Sequence, residues 1–381
     1  MLSRSPFRDE FQFADNLIYL NHAGVAPIPN RTRRVIAELA EHTAHYGASR
    51  YPELYARHQQ VRQTCANLLN TTVDSVAFTP NTSEALSWIA MGMDWQPGDE
   101  IITTGAEFPS NAIVWLTLAE RFGVVVHRLP AEADGRINSD KLLEKLNSRT
   151  RLLTVSSAQF SSGAMADLKS LGLALKDHPA LFVVDAIQTL GALSLEPETL
   201  HIDALAADGH KWLLGPEGLG LFWLSEKGMA TVEPRILGWH SVANAGDYDH
   251  ITTELKPNMQ RFEAGTPNLL GILALGESIS MLLEAGMAHV EERVLALSAA
   301  FAEGLQELGC ELHSPLNLTG HPESGIVVFT HPNRETKQLS KLLLEKGIYH
   351  APRGGGIRFA AHFYQDQTDV DQALQVLKAS L

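Results

Sequence analysis

Lys211 stands where an apolar, strand-like run, His201 to Ala207, gives way to Asp208-Gly209-His210-Lys211-Trp212 and then to the glycine-rich turn Gly215-Pro216-Glu217-Gly218-Leu219-Gly220. Desolvation disfavours an ammonium in so apolar a setting, so the amine is expected to be deprotonated or used covalently, as Schiff-base lysines are. Asp185 closes another apolar run, Leu181-Phe182-Val183-Val184-Asp185, with Gln188 three positions on. Ligands gather at the carboxyl ends of strands in α/β sheets, which makes Asp185 a binding group, the alternative being a cap on the helix that follows. Phe78-Thr79-Pro80-Asn81-Thr82-Ser83-Glu84 reads as a strand-to-helix turn, with Asn81 and Glu84 spaced as a capping box. Free amides at Thr82 and Ser83, together with two hydroxyls, suit a dianion. Arg358, in Gly356-Ile357-Arg358-Phe359-Ala360, offers the planar fork that pairs with a carboxylate, and Arg353 is the second choice for that task.

The elements that must hold these groups alternate along the chain. Runs rich in branched residues, Ser75 to Phe78, Glu100 to Thr103, Val124 to Val126, Leu152 to Val155 and Leu181 to Val184, are separated by amphipathic stretches. This pattern predicts an α/β fold, a mostly parallel sheet covered on both faces. A long helical reading from about Gly271 to Leu308 looks like a bridge to a second unit. There, Gly325 to Phe329, the helix-like Thr336 to Lys346 and the strand-like Gly356 to Ala360 predict a small α+β domain.

Composition sets the outer bounds. At 381 residues and 45% apolar content, the chain can bury one large core and a satellite. Acidic residues number 44 against 30 basic ones, a formal charge of −14, which disfavours nucleic acid and anionic membranes as partners. The first ten residues turn charged before an apolar signal core can form, and no run approaches about 18 apolar residues, so a cytoplasmic protein is expected. Two cysteines, Cys65 and Cys310, supply neither a disulfide framework nor a zinc ligand set, and the 16 histidines show no metal-ligand spacing. The sequence holds no G-x-x-x-x-G-K-[ST], G-x-S-x-G or H-E-x-x-H segment.

The segment from Asp203 to Leu221, a His-Lys pair followed by Gly-Pro-x-Gly-x-Gly and a further apolar strand, resembles the cofactor-lysine segment of class V, fold-type I pyridoxal-phosphate (PLP) enzymes. That group holds cysteine desulfurases, kynureninase, isopenicillin-N-epimerase-like proteins and several aminotransferases. Other landmarks fall in the family's chain order from about residue 18 to about residue 360. The resemblance implies a large PLP-binding domain over 18–265, then a bridging helix and small C-terminal domain over 266–381, with residues 1–17 packing nearby.

It also implies roles. Lys211 would carry pyridoxal 5'-phosphate as a Schiff base and act as general base, and Asp185 would face the ring nitrogen, with Gln188 close by. Thr82, Ser83 and His210 would bind the phosphate, joined by Thr266 from a neighbouring subunit, which makes the active enzyme at least a homodimer. Desulfurases carry a His after the Glu of Glu107-Phe108-Pro109, whereas Phe108 stands here, either stacked on the ring or part of the core. Gln159 is the candidate for the ring hydroxyl. Asn21 and His22 resemble the segment that closes over the substrate, and Arg358 matches the carboxylate-binding arginine, while His240 stays outside the catalytic set.

Sulfur is where the chain departs from desulfurases. Their nucleophilic Cys precedes the carboxylate-binding Arg, yet Gly347-Ile348-Tyr349-His350-Ala351-Pro352-Arg353-Gly354 holds none. The expectation is therefore an aminotransferase or β-eliminating lyase acting on a small-molecule L-amino acid, with desulfurase disfavoured and epimerase as a further outcome of the same residues. A PLP-binding protein without turnover is the non-enzymatic alternative; an intact Lys211, Asp185, His210 and Arg358 argue against it.

Overall fold

In the computed structural model, which describes residues 2–381, seven of the apolar runs pair into one sheet. Its strand order is Val76–Thr79, Gly220–Leu224, Ala204–Asp208, Leu181–Asp185, Thr150–Ser156, Glu100–Thr104 and Val125–Leu129. Only Gly220–Leu224 runs against its neighbours, pairing antiparallel on both sides; the other pairings are parallel. The expected mostly parallel sheet is thus present.

Alternate residues of these strands feed two separate cores. Phe182, Val184, Leu153, Val155 and Leu205 pack on one face with Leu171 and Ile279. Leu181, Val183, Leu152, Ala204 and Ala206 pack on the other with Leu86, Ile89 and Trp115. Burial on both faces explains why the central runs are continuously apolar. Each fully buried Val, Leu or Phe contributes about 1.5–3 kcal/mol, which anchors the strand ends that carry polar residues. Register sets Ser156 beside Asp185, and Asp185 beside Ala206, so three carboxyl ends meet at one edge.

The predicted bridge is two helices rather than one. Leu269–Ala285 and Met287–Glu307 meet at an 85° bend. Gly286 lies between them at φ +82°, a left-handed conformation that glycine adopts without a Cβ penalty. No single helix among the described residues is long and apolar enough to cross a membrane. A four-stranded antiparallel sheet follows, ordered Ala351–Arg353, Gly356–Ala360, Ile326–Thr330 and Glu311–Leu312. The N-terminal strand Ile18–Tyr19 pairs in parallel with Ile348–Tyr349, and Phe11 stacks on Tyr364 with ring centres 3.5 Å apart.

Candidate active site

Lys211 follows the strand Ala204–Asp208 and sits just past the meeting edge of the three central strands. Its side chain is largely buried, and its amine faces the Phe108 ring with 5.6 Å from nitrogen to ring centre. Burial pulls the ammonium down to about 8; Asp185 is the strongest opposing influence, while Arg358 and Arg353 push the same way as burial. An amine near 8 is free often enough at neutral pH to attack a carbonyl or take a proton.

Asp185 is buried at its strand end, and one oxygen accepts the Ile187 N–H at 3.0 Å. Burial raises its pKa, Glu107 raises it further, and Lys211 works against both. A carboxylate so placed is stabilised by any cation or N–H brought against it. Asp208 ties the lysine segment to the helix Thr82–Gly92, because its N–H donates to Thr82 Oγ1 at 3.0 Å. Its Oδ1 is buried without a partner, Oδ2 lies 3.7 Å from His210 Nδ1, and burial pushes its pKa up to about 6. Burial and the adjacent Lys211 lower the His210 pKa.

The helix begins at Thr82 with Asn81 as its cap, but only half of the expected capping box is formed: Glu84 does not accept the Asn81 N–H in return. Asn81 accepts the Glu84 N–H at 2.9 Å, the Thr82 N–H serves the Asp208 carboxylate, and the Ser83 amide has no helical acceptor by position. Ser83 Oγ lies 2.7 Å from Ser110 Oγ. A groove of about 840 Å³ between this helix and Ser110–Phe122 reaches the site only at Ser83 and Ser110.

Phe108 is 39% exposed and meets Phe160 edge to face with centres 5.0 Å apart, so it is a lid on the lysine rather than a core residue. Beside it, Glu107 is buried and accepts from Ser156 N–H (2.9 Å), Ser156 Oγ–H, Gln159 Nε2 (2.8 Å) and Asn111 Nδ2 (2.8 Å). Burial raises its pKa, against all four donors. The sequence reading missed Glu107. Its signal was the four-residue spacing Glu107, Asn111, Trp115 across the start of the helix Ser110–Phe122, in which Trp115 Nε1 donates to Asn111 Oδ1 at 2.9 Å. Because Gln159 gives its amide nitrogen to Glu107, its Oε1 is buried with no partner.

Arg358 is buried on its strand, donating through Nη1 to Phe160 O at 2.7 Å and through Nη2 to Asn21 Oδ1 at 3.2 Å. Its Nε has no acceptor, and among the described residues no carboxylate forms a salt bridge with it. Burial, with Arg353, lowers its pKa to about 10. A desolvated guanidinium without a counterion is a receptor for one.

Two expected ligands also hold contacts within the chain. His22 is fully buried, with Nδ1 2.7 Å from Ala360 O and Nε2 2.7 Å from Tyr364 Oη, so it locks the N-terminal segment to the small sheet. Gln188 donates to Ala23 O at 3.2 Å and accepts Trp212 Nε1 at 3.1 Å, bracing the same segment against the residue after Lys211. These contacts join residues far apart in the chain, and the sequence reading did not foresee them. Thr266 is exposed, in a cleft of about 240 Å³ with Thr79, Pro80 and Glu84, outside the buried group around Lys211. Cys65 and Cys310 are buried away from the site, with burial pushing their thiols up to about 12 and 11.

The described residues contain no cluster of three or more His, Cys, Asp or Glu suited to a metal ion. A family model described as aminotransferase class-V matches residues 18–373. A probable cysteine desulfurase of Pyrococcus abyssi (strain GE5 / Orsay) is 28% identical over 393 residues, covering 97% of this chain and 96% of that protein. An uncharacterized aminotransferase, YcbU, of Bacillus subtilis (strain 168) is 23% identical over 334 residues, covering 88% and 86%. Among solved structures, an apo cysteine desulfurase from Thermococcus onnurineus NA1 matches with TM-score 0.87 and 26% identity over 100% of this chain and 99% of that one. The cystine C–S lyase C-DES, solved with its product cysteine persulfide, matches with TM-score 0.88 over 96% and 98%, and at 23% identity that likeness is one of fold.

Proposed function

This chain belongs to the aminotransferase class-V family, and we propose that it is a pyridoxal 5'-phosphate enzyme that uses Lys211 to act on an L-amino acid, as an aminotransferase or a β-eliminating lyase. The observation that carries this reading is the buried amine of Lys211, lowered by desolvation, opposed by Asp185 and roofed by Phe108.

The residues present fit the cofactor. Asp208 Oδ1 and Gln159 Oε1 are buried polar atoms without partners, Asp185 lacks a cation other than Lys211, and the Ser83 amide at the helix start has no helical acceptor. Lys211 would hold the cofactor covalently, Asp185 its ring nitrogen, Phe108 its ring face and Gln159 its ring hydroxyl. Thr82, Ser83 and His210 would bind its phosphate. When bound, the cofactor supplies an electron-withdrawing ring for negative charge at the substrate Cα.

This chain's own residues then divide the work. Arg358, held by Asn21 and the Phe160 carbonyl, takes the substrate carboxylate and fixes the Cα bonds relative to Lys211. Lys211 is placed to remove the Cα proton; returning it to the cofactor side gives transamination, and handing it to a departing β substituent gives elimination. Thr266 is proposed to serve the partner's site in a homodimer, which its exposed loop permits.

Desulfurase names among the relatives favour a second reading, but that chemistry needs an accessible thiolate. Both thiols here are buried with raised pKa values, and the hairpin before Arg358 has none.

The test is borohydride reduction of the purified protein followed by peptide mass mapping. Cofactor mass on the Lys211 peptide, absent in Lys211→Ala, is expected; a Lys211→Ala protein with unchanged visible absorbance refutes the assignment. Mixing the holoenzyme with L-amino acids and no oxo acid then separates the chemistries: one stoichiometric turnover marks an aminotransferase, and continuous release of ammonia and an oxo acid marks a lyase.

A further inference from the structure

The hairpin that carries Arg358 carries a second arginine on the same face. Ala351–Arg353 pairs antiparallel with Gly356–Ala360, Ala351 standing opposite Arg358 and Arg353 opposite Gly356. Residues two apart on a strand share a face, and so do cross-strand partners. Arg353 and Arg358 are therefore diagonal neighbours, a spacing of about 7–8 Å that long side chains can span. Opposite Arg353 there is only a glycine, so no cross-strand side chain covers it.

The tip of the hairpin is fixed against the large sheet's loops. Gly354 lies at φ +59°, and a Cβ there would fall 2.0 Å from the Ser161 carbonyl oxygen. The neighbouring carbonyl, that of Phe160, is the one that Arg358 Nη1 binds at 2.7 Å. Arg353 thus stands beside the segment that carries Gln159 and Phe160.

Neither arginine has a carboxylate. Arg353 is exposed, its one hydrogen bond runs to the carbonyl of Pro352 at 2.8 Å, and no acidic residue among those described forms a salt bridge with it. In a chain of formal charge −14, two unpaired arginines on one ribbon are a local reversal of sign. Both also bear on Lys211, whose ammonium each disfavours, so both lie within charge–charge reach of the reacting amine.

We propose that Arg353 binds a second anionic group on the substrate, so that the site takes acidic L-amino acids, those with a side-chain carboxylate. Arg358 holds the α-carboxylate and Arg353 the distal one. This rests on the reading of Lys211 and Arg358 above. A neutral amino acid uses only Arg358 and leaves Arg353 in water.

The experiment is calorimetric titration of the holoenzyme, at constant ionic strength, with succinate and with propionate, which differ by the second carboxylate and do not react. Succinate is expected to bind at least ten-fold more tightly than propionate. Arg353→Gln should lose most of that preference while propionate affinity stays within two-fold, and Arg353→Lys should keep part of it. Unchanged thermal melting in both variants shows that folding is not the cause. Equal binding of the two acids, or a preference unaffected by Arg353→Gln, overturns the proposal. Propionate binding that persists in Arg358→Gln would instead remove the carboxylate site itself, and with it the reading beneath.

Discussion

The Lys211 amine lies 5.6 Å from the centre of the Phe108 ring, and Phe108 in turn meets Phe160 edge to face. Phe160 also offers its carbonyl to Arg358. The Lys211 amine, the Phe108 ring and the Arg358 guanidinium are therefore joined through Phe160, whose ring meets Phe108 and whose main-chain carbonyl meets Arg358, although the three come from separate stretches of sequence.

Replacing Phe108 by Ala should remove a stacking partner without touching the fold, since the ring is partly exposed. An aromatic pair contributes about 0.5–1.5 kcal/mol beyond its area, which converts to a roughly 2- to 12-fold loss of cofactor affinity. Equilibrium dialysis against pyridoxal phosphate measures it. Affinity that is unchanged in Phe108→Ala places the ring elsewhere.

Thiol chemistry should be dispensable. Cys65 is fully buried and both thiols are raised by burial, so neither presents a thiolate near neutral pH. Iodoacetamide is expected to leave the folded protein unmodified by intact mass. The double variant Cys65→Ala/Cys310→Ala should keep its turnover, and sulfide release from L-cysteine that disappears in this variant would reinstate a desulfurase.

Local pattern carried part of this site. The glycine-pinned Lys211, Asp185 at the end of an apolar run and the Asn81 cap all sit within a few residues of the features that reveal them, and the alternating cores behind them follow from branched-residue runs. What stayed hidden depends on distance along the chain. His22 finds Ala360 and Tyr364 some 338 and 342 residues away, and Gln188 is claimed by Ala23, so their side chains point where no spacing rule could place them. Glu107 was passed over for a different reason: carboxylates are exposed by default, and only the four donors gathered around it make its burial tolerable. The single long helix failed at Gly286, a residue that an isolated helix tolerates but that here turns the chain by 85°.

Acid should loosen the seam between the two sheets. His362 is fully buried, its Nδ1 accepts the Phe363 N–H at 2.8 Å, and Nε2 donates to the Trp212 carbonyl at 2.9 Å. Burial pushes its pKa down to about 4, and burial with His362 nearby drives that of His22 well below 6.5. The unfolded chain binds these protons near 6.5 and the folded one does not. Stability is therefore fully present above about pH 6.5 and lost as pH falls toward 4. For His362 alone the loss by pH 5 is about 2 kcal/mol. Buried carboxylates such as Asp185 and Asp208, raised by burial, act in the opposite direction over the same range, so the test is the difference between proteins: the change in urea-unfolding free energy from pH 7.5 to 5 should shift by about this amount in His362→Gln, and an identical pH dependence in the variant would count against the assignment.

The last prediction concerns a buried pair that links the strand leading into Thr82 to the loop carrying Thr266. Arg62 Nη1 and Nη2 meet Glu263 Oε1 and Oε2 at 2.6 and 2.9 Å, with the two side chains 1% and 7% exposed. Glu263 also accepts the Phe78 N–H at 2.9 Å, and Arg62 donates to Val76 O at 2.9 Å, so the pair grips the strand that leads into Thr82 and Ser83. Glu263→Gln strands the guanidinium without a counterion and should cost about 3–5 kcal/mol in urea unfolding. Adding Arg62→Met should recover a substantial part, because the penalty lies in the orphaned charge rather than in the missing attraction. A single-variant loss under about 1 kcal/mol would mean that water reaches Arg62 and solvates it. The same variant should weaken cofactor binding even where it remains folded, since the strand before Thr82 loses its anchor, and dialysis at a urea-free temperature well below the melting point separates that effect from unfolding.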